Sequence, residues 1–370
     1  MRKKYLSIFL ILIYLITFTG CFNYRDIDKI IFATTLVYDI DPDNNVLVYL
    51  EAFESQRTLS KGSEKSQRLI FRGRGKTVFE AIRDISLQSG YEINYTQIKA
   101  IIFSEKAARA GIKGFIDVLT RNPQFYLKPY MAVYTGDVEE ILQGGFKEEQ
   151  FVGILINDLM KNVRISARAI RIQYADFLNQ RTETDRASIM TVISRGKNKY
   201  RNSVELNGGA VFINDKMVDF IEKSETEAYN FMVNRISSGV MEVASPINKN
   251  KFISLEIFRN NTKTDINYYK NKVYLTKTIN VKASIAESQG QINLNKENVK
   301  KIEVNADKNL INNANRIFNK FKKKGIDIFN IQDDLENKYK IREKNLIQRT
   351  QLNIEPKVTI EGGGKSSSFY

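Results

Sequence analysis

Gly73-Arg74-Gly75-Lys76-Thr77-Val78-Phe79-Glu80-Ala81-Ile82-Arg83 is the stretch on which the fold turns. It follows a short apolar run, Leu69-Ile70-Phe71, that reads as a strand. Thr77 and Glu80 have the spacing of a capping box, in which hydroxyl and carboxylate satisfy backbone donors at a helix start. Val78, Ala81, Ile82 and Ile85 then fall on one helical face. Strand, turn and helix therefore follow one another, with the glycines supplying a flexible turn. A phosphate-binding loop would look similar, but it needs a glycine where Ile70 stands.

Outward from this stretch the alternation of strand and helix continues. Ile30 to Val37 and Val46 to Phe53, separated by Asp41-Pro42-Asp43-Asn44-Asn45, predict a β-hairpin, and polar Glu54 to Gln67 reads as an exposed loop. Gln97 to Phe103 predicts a buried strand, and Ser104 opens a helix that Gly111 ends. Ile112, Phe115, Ile116 and Leu119 predict another helix, stopped at Asn122-Pro123, before a strand at Tyr130 to Tyr134. This pattern implies a mixed sheet with helices packed on it. From Gly144 to Arg201 the pattern weakens to one helix around Phe151 to Met160 and basic stretches, which read as a linking or peripheral region.

A second unit opens at Gly208-Gly209 with a hairpin of Ala210 to Ile213 and Met217 to Ile221. Ser224 and Glu227 suggest a second capping box, its helix carrying Ala228, Phe231 and Met232 to Gly239. Phe252 to Ala283 is strand-like, punctuated by loops at Asn260-Asn261 and Asn271. Leu310, Ile311, Ala314, Ile317, Phe318 and Phe321 form the stripe of a long helix, Glu297 to Lys324. Lys320, Lys322, Lys323 and Lys324 complement its dipole before Gly325. A helix near Ile331 to Tyr339, a strand from Thr350 to Ile360 and a frayed tail, Gly362 to Tyr370, complete the chain. The expected class is α+β, with several mixed sheets and packed helices. Its parts are a leader at 1–20, an N-terminal α/β unit with a peripheral linking region at 21–200, and a C-terminal α+β unit at 201–370 divisible into two lobes.

The leader reads as an export signal. Arg2, Lys3 and Lys4 precede the apolar run Leu6 to Phe18, shorter than the roughly 20 residues of a membrane-spanning helix. Phe18-Thr19-Gly20-Cys21 resembles the bacterial lipobox, in which the cysteine sulfur takes a diacylglyceryl group. Cys21 is the one cysteine of 370 residues, so the exported chain forms no intramolecular disulfide. One acyl chain binds a membrane marginally, whereas two hold it stably. The formal net charge is +15, and few of those cations lie in the leader. Export argues against nucleic acid as a partner and leaves anionic lipid headgroups, acidic wall polymers or an acidic protein surface. AT-rich coding would give the same Lys, Asn and Ile bias without any ligand.

Catalytic chemistry is poorly provided for. The chain has no histidine, which removes the commonest general base near neutral pH and the commonest metal ligand. No Gly-x-Ser-x-Gly elbow occurs. No catalytic residue, cofactor or metal site is expected.

Taken in order, these blocks resemble the Ger(x)C family, the C-subunit lipoproteins of spore nutrient germinant receptors. The resemblance rests on Cys21, Phe22, Asn23 and Asp26, then on Gly73 to Arg83, then on Gln97-Ile98-Lys99-Ala100-Ile101-Ile102. Ala110-Gly111-Ile112, Arg121-Asn122-Pro123, Gly209-Ala210-Val211-Phe212, Asp215-Lys216, Asn293-Leu294 and Gly325-Ile326-Asp327-Ile328-Phe329 extend it over nearly the whole chain. Phe22, Asn23 and Asn122 depart from the family pattern. The resemblance implies a three-lobed α+β fold without catalysis, anchored by lipid on Cys21 at the outer face of the inner spore membrane. It also implies two integral membrane partners, the A and B subunits, and a role in nutrient-triggered germination. A different reading is an extracytoplasmic solute-binding lipoprotein of a transport system, which would need two similar lobes about a cleft. The two halves of this sequence are unlike.

Overall fold

The computed structural model describes residues 2, 4, 5, 14, 29–54, 67–144, 146, 148–163, 166–181, 187–196, 202–343, 345–361, 368 and 369. β1 (Ile30–Ile40) and β2 (Val46–Glu54) form the expected antiparallel hairpin, and β2 pairs in turn with β3 (Arg68–Gly75). The other side of β1 receives short β4 (Glu92–Asn94) and β5 (Ala100–Ser104), both parallel to it. β6 (Tyr130–Tyr134) and β7 (Ser188–Arg195) add in parallel. β8 (Val204–Ile213) and β9 (Lys216–Ile221) close a nine-stranded mixed sheet in antiparallel fashion, turning through Asn214 and Asp215, both at positive φ. The 200/201 boundary falls between β7 and β8, which are hydrogen-bonded neighbours.

The opening stretch behaves differently from a flexible turn. Gly73 and Gly75 lie within β3, which runs longer than the expected Leu69-Ile70-Phe71, and they are there because a helix presses on the strand. A Cβ on Gly73 would stand 1.9 Å from the carbonyl oxygen of Ala81. That helix, α1 (Val78–Ser86), is capped as its sequence implies: the Glu80 N–H donates to Thr77 Oγ1 at 3.2 Å, and Glu80 Oε2 accepts from the Lys76 N–H at 2.7 Å. Val78, Ala81 and Ile85 are buried beneath it. α2 (Glu105–Ala110), capped by Ser104, and α3 (Lys113–Arg121) follow on the same face, where Phe103, Phe115 and Tyr38 stack.

The weakly patterned region is not peripheral. α4 (Val138–Gln143) and α5 (Val152–Asn162) cover the opposite face of the sheet, α6 (Tyr174–Arg181) inserts Tyr174 and Phe177 into the main core, and β7 is an interior strand. Glu51, fully buried in β2, fixes α5. It pairs with Arg68 at 2.6 Å and accepts the Val152 N–H at 3.0 Å, placing a carboxylate at the positive helix end.

The second half builds a smaller mixed sheet. α7 (Thr226–Met232) leads to β10 (Gly239–Ala244), β11 (Phe252–Tyr269) and β12 (Lys272–Ser288), antiparallel in sequence, while β14 (Thr350–Ile360) joins β12 in parallel. Asn260 and Asn261 pair with Val281 and Asn280 inside β11 rather than forming a loop, whereas Asn271 does turn the hairpin at positive φ. α7 begins at Thr226 with no side-chain cap, so Ser224 and Glu227 form no capping box, and Gly239 starts a strand. β13 (Ile292–Asn293) pairs with β15 (Ser368–Phe369), so that part of the expected tail is a strand.

α8 (Lys296–Lys324) buries Ile302, Ala306, Leu310, Ala314, Ile317, Phe318 and Phe321 and stops at Gly325, left-handed with φ 69°. Its terminal lysines do more than offset the dipole. Lys320 reaches the Phe220 carbonyl (2.9 Å) and Glu225 (2.7 Å), Lys322 reaches the Thr350 carbonyl (2.6 Å) and Lys324 reaches Asp219 (2.5 Å). α9 (Ile331–Tyr339) and a 3-10 turn, Leu346–Arg349, complete the cover, and the main core is continuous between the two sheets. The whole is the mixed α+β architecture that the sequence implied.

Candidate functional site

Cys21 lies outside the described residues, as do its neighbours in the leader. Among the described residues no helix is long and apolar enough to cross a membrane, and none of the His, Cys, Asp and Glu side chains group in a way that could hold a metal ion.

A cleft of about 870 Å³ opens between α7, β10 and α8. Its wall is built from the backbone outward. Gly239, with φ 156°, lets β10 begin against the segment before α6; a Cβ there would stand 2.6 Å from the Ala167 nitrogen. Buried Asn230 of α7 holds the same segment by donating its amide to the Ala167 and Ala169 carbonyls at 2.8 and 2.9 Å. Arg168, pinned between those two carbonyls, meets Glu227 at 3.2 Å and Glu242 at 3.5 Å. Burial pushes the Glu227 carboxyl above its usual range, and Arg168 pulls the other way.

Across the cleft, α8 presents Asn305, Asn309, Asn312 and Asn313 with Lys308. Asn305 donates to the Ala244 carbonyl at 3.0 Å and Asn309 to the Glu242 carbonyl at 2.9 Å, so the helix satisfies the outer carbonyls of edge strand β10. Lys223, Ser224 and the half-exposed ring of Phe252 complete the lining. Both carboxylates are committed to Arg168. The remaining groups are amides, ammonium groups, the Ser224 hydroxyl and one aromatic face, a set chemically suited to a polar ligand or peptide.

A second groove, about 830 Å³, lies at the C-terminal ends of β1, β5 and β6. Asp39, Asp41, Glu105, Asp137 and Glu139 face Arg72, Lys106 and Arg109 there. Tyr49 donates to Glu139 at 2.8 Å, and Ser104 donates to Asp39. The Gly73 to Thr77 stretch cradles nothing, since the space beside its glycines is filled by α1.

Two family models tile the chain: a spore germination protein N-terminal domain over residues 23–195, and a spore germination B3/GerAC-like C-terminal domain over 207–364. The chain belongs to the Ger(x)C family of spore germination proteins. This Ger(x)C chain is 24% identical over 328 residues to spore germination protein GerQC of Bacillus cereus, covering 88% of each. It is 22% identical over 341 residues to spore germination protein B3 of Bacillus subtilis (strain 168), covering 88% of this chain and 83% of that one. Its fold matches the crystal structure of the GerBC protein with a TM-score of 0.54 at 16% identity, over 88% of this chain and 97% of that chain.

Sequence reading missed the Arg168, Glu227 and Glu242 group of this Ger(x)C protein, whose members come from three separate segments. One signal was available. Asparagine is a poor helix former, and four of them on one stripe of α8 call for partners beyond the helix.

Proposed function

We infer that this protein is the lipid-anchored, non-enzymatic C subunit of a spore germinant receptor, required for nutrient-triggered germination. It is tethered through a diacylglyceryl group on Cys21 to the outer face of the inner spore membrane. There it stands beside the integral A and B subunits. The observation that carries the reading is the pair of germination-family regions, 23–195 and 207–364, beginning two residues after the lipobox cysteine. The commitment of the cleft carboxylates to Arg168 agrees with a binding rather than a catalytic role. A solute-binding lipoprotein would close two similar lobes on its ligand, and the two large sheets here, of nine and four strands, are unlike.

Cys21→Ala tests the anchor. The wild-type protein is expected in the membrane fraction of spores and the variant in the soluble fraction. Retention of the variant in membranes of a strain without the A and B subunits would contradict lipid as the tether.

A further inference from the structure

The pockets at the two ends of the parallel strands differ in charge, while Glu54 and Glu92 stand beside the start of β1 itself. At the strands' C-terminal ends lies the groove in which five carboxylates, Asp39, Asp41, Glu105, Asp137 and Glu139, outnumber three cations, Arg72, Lys106 and Arg109. At their N-terminal ends, where β5 and β6 begin, a pocket of about 260 Å³ is lined by Lys99, Lys128 and Lys161 with Tyr126, Tyr130 and neutral polar groups. No carboxylate is among its described lining residues; the nearest in sequence, Asp158, is held by the Asn157 amide at 2.9 Å. Lys128 and Lys161 are exposed. Beside them the loop between α3 and β6 presents Tyr126 and Leu127, 53% and 52% exposed. That loop is firmly held. Phe125 is buried against Tyr95 with ring centroids 4.9 Å apart, and the Leu127 and Pro129 carbonyls accept from the Ala175 and Tyr174 N–H groups at 3.0 and 2.8 Å.

The same end of the sheet is where the chain arrives from Cys21. β1 runs parallel to β5, and the Lys99 N–H donates to the Thr34 carbonyl at 2.8 Å, so Ile30 starts four residues further out. At about 3.3 Å per residue that places the start of β1 roughly 13 Å beyond Lys99. The segment from Cys21 to Ile30 spans at most about 30 Å. A lipid on Cys21 therefore joins the sheet at this end, about 30 Å of strand away from the groove at Asp39.

We propose that Lys99, Lys128 and Lys161, with Tyr126 and Leu127, form a membrane-docking surface for anionic phospholipid headgroups. It rests on the anchored reading above and adds an orientation to it. The ammonium groups meet headgroup phosphates, the Tyr126 and Leu127 side chains enter the interface between headgroup and acyl chain, and the acidic groove points away. The lipid tether keeps the protein on the membrane, and this surface decides which way up it stands.

The test uses the mature chain, residues 21–370, carrying Cys21→Ala so that no lipid contributes, and vesicles of phosphatidylcholine with or without phosphatidylglycerol. Binding is expected on the phosphatidylglycerol vesicles only and is lost in high salt. Lys99→Gln/Lys128→Gln/Lys161→Gln weakens it by on the order of 100-fold. Leu127→Ser weakens it with its dependence on phosphatidylglycerol kept. Lys249→Gln/Lys263→Gln/Lys272→Gln, which removes equal charge at exposed positions elsewhere, leaves it nearly unchanged. Equal loss in the two triple variants, or binding indifferent to phosphatidylglycerol, overturns the proposal. Neither outcome touches the anchor, which the Cys21→Ala fractionation reads separately.

Discussion

The Asp307 carboxylate on α8 accepts the backbone N–H of Val358 in β14 at 2.8 Å. One turn earlier, Glu303 accepts the Ile360 N–H at 3.0 Å. On its other side the helix donates Asn305 and Asn309 amides to carbonyls of β10. β10 and β14 are the two edges of the four-stranded sheet, so one helix satisfies outward-facing backbone groups on both. Pro356, at the same outward parity as Val358 and Ile360, has no N–H to leave unpaired.

Asp307→Ala and Glu303→Ala are each expected to lower stability by about 1–2 kcal/mol and to promote self-association through the opened β14 edge. Asp307→Asn should behave close to wild type. Its amide oxygen still accepts the Val358 N–H, and burial already disfavours the Asp307 charge by pushing that carboxyl up. Urea unfolding with sedimentation velocity distinguishes the three; equal damage from Asn and Ala would remove the edge-capping role.

Gly73→Ala should destabilise at the upper end of the roughly 1–3 kcal/mol typical of overpacking, because its methyl has the α1 backbone in its way. Gly90→Ala, with open space around it, should change stability by a few tenths of a kcal/mol. Paired thermal melts check both. A tolerant Gly73 would mean that the glycine serves flexibility after all.

Lys277 occupies an inward position of β12, 3% exposed, and its ammonium donates to Thr264 Oγ1 at 2.8 Å. Burial pulls its pKa below 10.5, against the attraction of Asp334 and Asp327. Between that lowered value and 10.5 the unfolded chain holds the proton more tightly than the folded one, so this group's contribution to stability rises with pH. In urea titrations across that window, the stability of wild type minus that of Lys277→Met should climb as pH increases. A difference independent of pH would show that Lys277 titrates normally.

What the sequence disclosed was local. Thr77 with Glu80, and Ser104 ahead of Ala107, could be read because cap and helix lie within one turn of each other. The alternating burial of β11 and β12 follows from a sheet with one face in solvent. The failures were non-local. Ser224 and Glu227 have the spacing of a cap, but Glu227 is engaged by Arg168, 59 residues earlier. β7 is buried on both faces and so lacks alternation, which made it look peripheral. Asn260 and Asn261 resemble a turn, yet β12 supplies their partners. Lys277 gave no sign of burial, since its neighbours Thr276 and Thr278 obscure the inward stripe.

The anchored-receptor reading is tested most directly by deleting the gene in a strain without a redundant receptor and measuring spore germination after nutrient addition. Spores should fail to respond to at least one nutrient and recover with the wild-type gene. Germination unchanged with every nutrient would contradict it.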